Sequence, residues 1–290
     1  MTFTQWIQSS PFLLDGGLGT QLQERGLELG KHPDLWNLEN PEKVLEVATA
    51  YVAAGSDIIL TNTFGSTRFT LEKHGAADKV AEISRKGVEI SKQAAGGKAK
   101  VFASMGPTGI MLMMGAVSSD DMYAAFREQA EAIAEAQPDG IVIETMSDVT
   151  EAVLAVKAAK TTGLPVAVCM VFDSGKNKDR TMMGTTPEQA VQQLTDAGAD
   201  ILGSNCGQGI DGFIPICERM RAVTTLPLWM KANAGLPEIV DGKTVYRQSP
   251  EVFAAKAIEL VAAGANFVGG CCGTTPEFIA AVRKALGTKN

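Results

Sequence analysis

Two adjacent cysteines, Cys271 and Cys272, stand between glycines in Gly269-Gly270-Cys271-Cys272-Gly273-Thr274-Thr275-Pro276, and a third lies far upstream in Asn205-Cys206-Gly207. Three thiols can hold a zinc ion and leave its fourth position free, the arrangement of a catalytic rather than a closed structural site. Two other readings stay open for the pair, since small cysteines also pack as hydrophobes and adjacent ones can form a redox-active disulfide. Neighbouring residues of a regular strand point to opposite faces, so both thiols reach one ion only if the backbone bends. Gly269, Gly270 and Gly273 supply the freedom for that bend. Cys169, inside an apolar run, and Cys217, in a helical stretch over 213–220, are expected to pack in the core. His32 and His74 sit among polar residues and are expected to be structural or solvated rather than ligands.

The elements that must bring these groups together recur along the chain. Short apolar runs at 12–15, 57–62, 100–104, 140–144, 165–171, 200–205, 228–233 and 266–270 are each followed by a turn and a helical stretch. Most lack strict alternation, as strands covered on both faces should. Three of them follow the phrases Ala54-Gly55-Ser56-Asp57, Ala197-Gly198-Ala199-Asp200 and Ala263-Gly264-Ala265-Asn266, whose glycine suits the left-handed end of a helix. Asn40-Pro41-Glu42, Thr186-Pro187-Glu188, Ser249-Pro250-Glu251 and Thr275-Pro276-Glu277 read as helix starts, with a side-chain cap, a proline and an acid. Eight such units predict a single (β/α)₈ TIM barrel over residues 1–290, with an open doubly wound sheet as the alternative.

Either fold binds its ligand at the carboxyl ends of the strands. Read there, the chain offers Asp15-Gly16-Gly17, Thr61-Asn62-Thr63, Met105-Gly106-Pro107, Glu144-Thr145, Phe172-Asp173, Asn205-Cys206, Asn233-Ala234-Gly235 and Cys271-Cys272. All three candidate ligands therefore fall on one rim. Met111 to Met114, after the third strand, is an adaptable apolar segment suited to a donor or its carrier, or to ordinary loop packing.

Composition narrows the function classes. A net charge of −7 without a basic run excludes the electrostatic face that a nucleic-acid partner needs. No apolar stretch is long enough for a membrane span, and residues 1–10 lack the basic start and apolar core of a secretory leader, so a cytoplasmic protein is expected. Five cysteines argue for reduced thiols or a metal rather than a disulfide framework.

Leu14-Asp15-Gly16-Gly17-Leu18-Gly19-Thr20, Thr61-Asn62-Thr63-Phe64-Gly65, Gly106-Pro107-Thr108-Gly109, Asn205-Cys206 and the Cys271-Cys272 segment together resemble the homocysteine S-methyltransferase family, nearly end to end. Residues 98–109, Asn233-Ala234-Gly235-Leu236-Pro237 and 241–246 are most similar to the homocysteine-binding module of cobalamin-dependent methionine synthase. The resemblance implies a (β/α)₈ barrel in which Cys206, Cys271 and Cys272 bind Zn²⁺ and homocysteine is methylated in methionine biosynthesis. It implies that Asp15 and Glu144 take the substrate ammonium, as charge-assisted hydrogen bonds require. Backbone amides from Gly17 to Thr20, with Thr63 or Ser104, are expected near the carboxylate, and Asn233 is expected to orient the metal or substrate.

The chemistry follows from the acceptor: an alkyl thiol is mostly protonated at neutral pH, and coordination to the ion converts it to the nucleophilic thiolate. The chain departs from the larger enzymes, since it ends at Asn290 after the last helix and carries no Asp-x-His-x-x-Gly pattern for cobalamin. The methyl is then expected from a separate corrinoid protein, or from a small donor such as a betaine or S-methylmethionine. A zinc- or thiol-binding module that moves no methyl is the reading from another class.

Overall fold

The computed structural model describes residues 7, 9, 11–240 and 243–287. Among these residues ten strands are formed: β1 (Phe12–Leu13), β2 (Ile58–Leu60), β3 (Lys100–Met105), β4 (Gly140–Met146), β5 (Val166–Met170), β6 (Ile201–Gly209), β7 (Leu228–Asn233), β8 (Glu238–Val240), β9 (Lys243–Val245) and β10 (Phe267–Gly270). Strands β8 and β9 pair as a separate antiparallel hairpin, and Asp241 and Gly242 between them lie outside the described residues. The other eight form one parallel sheet in the order β1-β10-β7-β6-β5-β4-β3-β2.

Its two ends meet through one backbone bond and two side chains. The Asp57 amide donates to the Leu13 carbonyl (2.7 Å), the Leu13 amide donates to Asp57 Oδ2 (2.7 Å), and the Leu60 amide donates to Asp15 Oδ2 (2.7 Å). Two carboxylates thus complete the ring where β1 and β2 are too short to pair. The result is a (β/α)₈ barrel, and the open sheet is ruled out. Helices such as Val80–Ala95, Ser119–Glu135 and Val149–Lys160 cover it outside, each returning the chain to the next parallel strand. Among the described residues no helix is long and apolar enough to cross a membrane.

Local chemistry explains the element ends. Gly55, Gly198 and Gly264 take φ of +99°, +97° and +107°, the left-handed turn expected where each helix stops. Thr186 and Ser249 cap their helices through the Gln189 and Val252 amides. Asn40 and Thr275 make no such bond; the Thr275 hydroxyl donates instead to Glu277, and those two helices start on proline alone.

Strand alternation divides the core in two. Leu13, Ile59, Val101, Ile141, Val168, Leu202, Met230 and Val268 face the helices, whereas Phe12, Leu14, Ile58, Phe102, Val142, Cys169, Ile201, Trp229 and Phe267 fill the barrel. Aromatic rings form its plug: Phe12 stacks on Phe267 at 5.3 Å, Phe267 meets Trp229 at 5.1 Å, and Trp229 meets Phe102 at 5.5 Å. Two residues further along β3, β4 and β7 the same inward face turns polar, at Ser104 above Phe102, Glu144 above Val142 and Lys231 above Trp229. The functional groups are the next layer of the barrel's own packing.

Candidate active site

Above the plug lies a cavity of about 540 Å³, lined among others by Asp15, Gly17, Thr61, Phe64, Ser104, Glu144, Lys231 and the three cysteines. The sulfurs of Cys206, Cys271 and Cys272 all lie within 4.8 Å of one another, and the Cys206–Cys272 separation is 3.9 Å. Sulfurs placed tetrahedrally on a zinc at ~2.3 Å stand ~3.8 Å apart, and soft thiolates suit that ion. The residues present fit the metal.

Backbone departures bring the thiols together. β6 shifts register after Asn205, and Cys206 adopts φ +60°, a left-handed conformation rare for a side-chain-bearing residue. Cys271 follows the end of β10, and a tight turn through Gly273 at φ +79° brings Cys272 to the same side. A Cβ on Gly273 would overlap the Tyr246 ring, so this position needs glycine twice over. Gly17 packs against the same turn: its amide donates to Thr274 O (3.0 Å), and a Cβ there would stand 2.6 Å from the Cys271 carbonyl.

The cluster's electrostatics are those of three thiols sharing one negative charge. Hydrogen bonds from the Cys271 and Cys272 thiols stabilise the Cys206 thiolate and hold its pKa well below the ordinary thiol range. Hydrogen-bonded to Cys206 and facing its charge, Cys271 and Cys272 are pushed above that range. A divalent cation reverses this for the second and third thiols, since coordinated thiols lose their protons.

Opposite the cysteines stand buried carboxylates. Glu144 accepts from the Ser104 hydroxyl (2.5 Å) and, at 3.4 Å, from Asn205 Nδ2. Burial raises its pKa to about 7, with Lys231 opposing the rise. Asp15 accepts Lys231 Nζ on Oδ1 (2.5 Å) and the Leu60 amide on Oδ2. Burial pulls the Lys231 ammonium down, but the charges of Asp15, Glu144 and Cys271 outweigh it and the net displacement is upward.

The homocysteine S-methyltransferase family model matches residues 12–286, which takes in every strand and the whole rim. The chain belongs to that family. It is 28% identical over 295 residues to methionine synthase of Mycobacterium leprae (strain TN), and 28% identical over 291 residues to that of Mycobacterium tuberculosis (strain ATCC 25618 / H37Rv). Those matches cover 95% and 94% of this chain but 24% of each relative, so it spans about a quarter of their length. In fold it is similar to the homocysteine methyltransferase MmuM of Escherichia coli in its metallated form, with a TM-score of 0.80, 24% identity and coverage of 97% of this chain and 98% of that one.

Within this homocysteine S-methyltransferase barrel, most of the sequence-derived site residues converge. Cys206, Cys271, Cys272, Asp15, Gly17, Ser104 and Glu144 line the cavity. Thr63 and Asn233 do not line it. The Thr63 hydroxyl donates to the Ser104 carbonyl (2.7 Å) and meets Thr61 Oγ1, so Thr61 faces the cavity in its place. Asn233 Oδ1 accepts from the Cys272 amide (3.1 Å), which holds the cysteine turn from behind. Cys169 and Cys217 are fully buried away from the cluster. His32 caps a short 3₁₀ turn through the Asp34 amide, while His74, edge-on to it at 4.9 Å, is exposed at the cavity's outer part.

Three neighbours of the site were given no role in the sequence reading. Lys231 sits in an apolar run, yet a buried lysine demands a buried counter-charge, and that rule alone marks it. Asn205 braces two strands, accepting from the Thr145 amide (2.6 Å) and donating to the Thr145 hydroxyl (2.8 Å). Tyr246, delivered by the β8–β9 hairpin, hydrogen-bonds Cys272; burial first, then the cysteine charges, raise its hydroxyl above the ordinary range.

Proposed function

We propose that this chain transfers a methyl group from a methylated corrinoid, free or on a separate protein, to the thiol of homocysteine, forming methionine. The observation that carries this reading is the convergence of three cysteine sulfurs within 4.8 Å in a cavity that also holds Asp15 and Glu144. Cys206, Cys271 and Cys272 would hold zinc, which when bound removes the substrate thiol's proton and keeps its sulfur as a thiolate. The substrate ammonium meets the carboxylate wall of Asp15 and Glu144. Ser104 acts by fixing Glu144 rather than by touching the carboxylate end of the substrate. The Gly17 amide is taken by Thr274, so the amides of Leu18, Gly19 and Thr20, which open a helix without an intrahelical partner, take that carboxylate. Asn233 and Tyr246 hold Cys272 from the backbone and sulfur sides. The sulfur then forms its bond to the methyl carbon as that carbon leaves the donor, and the thiol proton has already gone to solvent.

Two features support a large apolar donor. Among the described residues lining the cavity Phe64 is the one Phe, Tyr or Trp, and a single ring does not make an aromatic cage for a quaternary ammonium. Phe64, Met111, Met113, Met114, Met182 and Ile239 are exposed on the segments that follow β2, β3, β5 and β7, at the carboxyl ends of the barrel strands. The test is zinc content of the purified protein, with methionine formation from homocysteine and methylcobalamin, betaine or S-methylmethionine. Zinc-dependent turnover with methylcobalamin is expected. A zinc-loaded protein that forms no methionine with any donor, or a metal-free one that does, refutes the reading.

A further inference from the structure

Two carboxylates facing one ammonium leave a surplus negative charge in a pocket that already holds thiolates, and the barrel contains the group that answers it. Lys231 projects inward from β7, two residues above Trp229, and its side chain is 3% exposed. Its Nζ lies 2.5 Å from Asp15 Oδ1, and the Leu60 amide occupies Asp15 Oδ2. Both oxygens of Asp15 are therefore engaged, one of them by a full positive charge. Glu144 is bonded differently: its partners are a hydroxyl and an amide, both neutral, and its Oε2 contact with Asn205 is long at 3.4 Å.

We propose that Lys231 is a positioning residue that cancels the charge of Asp15, leaving Glu144 as the one carboxylate that receives the acceptor's ammonium and matching the pocket to thiols with a single α-ammonium group. The inference rests on homocysteine being the acceptor and says which of the two carboxylates recognises it. The Asp15–Lys231 pair is then a neutral unit that closes the β1–β2 seam and braces it against β7. Selection of an aminothiol over a simple thiol acid depends on Glu144. A lysine in this position also limits the repulsion that the acceptor's own thiolate and carboxylate meet on entry.

The experiment uses the full zinc-loaded chain and compares binding of homocysteine with 4-sulfanylbutanoate, the same thiol acid without the amine, by calorimetry. Wild type is expected to prefer homocysteine by on the order of 10–100-fold, the worth of one charge-assisted hydrogen bond. Lys231→Met leaves Asp15 uncompensated and is expected to weaken homocysteine binding by a similar factor at unchanged zinc content, with Lys231→Arg recovering part of the loss. The double variant Asp15→Asn/Lys231→Met removes both charges and should bind homocysteine at least about tenfold more tightly than Lys231→Met. If burying a lone Asp15 prevents Lys231→Met from folding, the double variant carries the test: it keeps a preference for homocysteine that Glu144→Gln loses. Unchanged binding in Lys231→Met, or a double variant that has lost the preference, overturns the inference and returns the ammonium to Asp15. Wild type that binds no homocysteine overturns the acceptor reading itself, and this inference with it.

Discussion

Replacing Glu144 by glutamine should stabilise the fold while weakening the hold on homocysteine, and both effects should fade together as the pH falls. The carboxyl titrates at about 7 in the folded chain against an ordinary 4.5, chiefly because burial disfavours its charge. Between those two values the folded state keeps a proton that the unfolded state has released. Stability is therefore lost as pH rises from about 4.5 to about 7, and the full cost, about 3 kcal/mol, applies above that. Glutamine mimics the protonated carboxyl and accepts the same Ser104 hydroxyl, so it removes the cost without opening a cavity.

In chemical denaturation of the zinc-free protein, the variant should then be about 3 kcal/mol more stable than wild type at pH 8.5 and about 1 kcal/mol at pH 5.5. In calorimetry on the zinc-loaded protein, homocysteine should bind on the order of 10–100-fold more weakly to the variant at pH 8.5, since a charged acceptor has become neutral. That loss should shrink below pH 7, where wild type itself carries the proton. A stability difference that is the same at both pH values would mean that Glu144 is not a carboxylate held ionised against burial. An unaltered homocysteine affinity at pH 8.5 would mean that it does not meet the ammonium.

Cys272→Ala should lose zinc on dialysis while far-UV circular dichroism stays that of the wild-type barrel; zinc retained at one equivalent would remove Cys272 from the ligand set. Gly273→Ala forces a left-handed alanine costing roughly 1 kcal/mol and displaces Tyr246, so zinc affinity measured by chelator competition should drop about tenfold or more. Equal affinity would show that the turn tolerates a side chain. Asn205→Ala strips the Thr145 amide of its buried acceptor and should cost about 2–3 kcal/mol by denaturation, with a raised KM for homocysteine. A stable variant with a normal KM would refute the brace.

Much of this architecture was legible because its determinants are local. Hydrophobic runs and left-handed glycines at helix ends are read within a few residues, and all eight barrel strands fall within the predicted runs or extend them. The extensions are informative: β4 and β6 run on past Glu144 and Asn205 through register shifts that no periodicity announces. The three cysteines were legible because glycines flank the adjacent pair and barrel closure puts strand ends on one rim. Lys231 was not, because its partner Asp15 lies 216 residues away, and a lysine in Leu228-Trp229-Met230-Lys231 calls for a counter-charge without naming which residue supplies it. Thr63 shows the opposite failure, a rim residue whose side chain the turn directs to Ser104. The β8–β9 hairpin had a usable signal in Asp241-Gly242, a pair favoured in tight hairpin turns.

The unexpected extensions of β4 and β6 also explain how the site is held open for chemistry. Thr145 and Cys206, at φ +64° and +60°, are adjacent in space to the shifts, and each left-handed residue costs roughly 1 kcal/mol. Asn205 links them: it is the residue before Cys206 and makes both of its short bonds to Thr145. Two part-buried hydrogen bonds at about 1 kcal/mol each offset that strain, so the distorted backbone is a stable state rather than a transient one. The same amide lies against Glu144 and, at 3.9 Å, against the Cys271 sulfur. One side chain therefore couples the carboxylate proposed to face the acceptor's ammonium to the sulfurs proposed to face its thiol. The distance between the two ends of the acceptor is built into the protein before either ligand or metal arrives, and little ordering remains to oppose their binding.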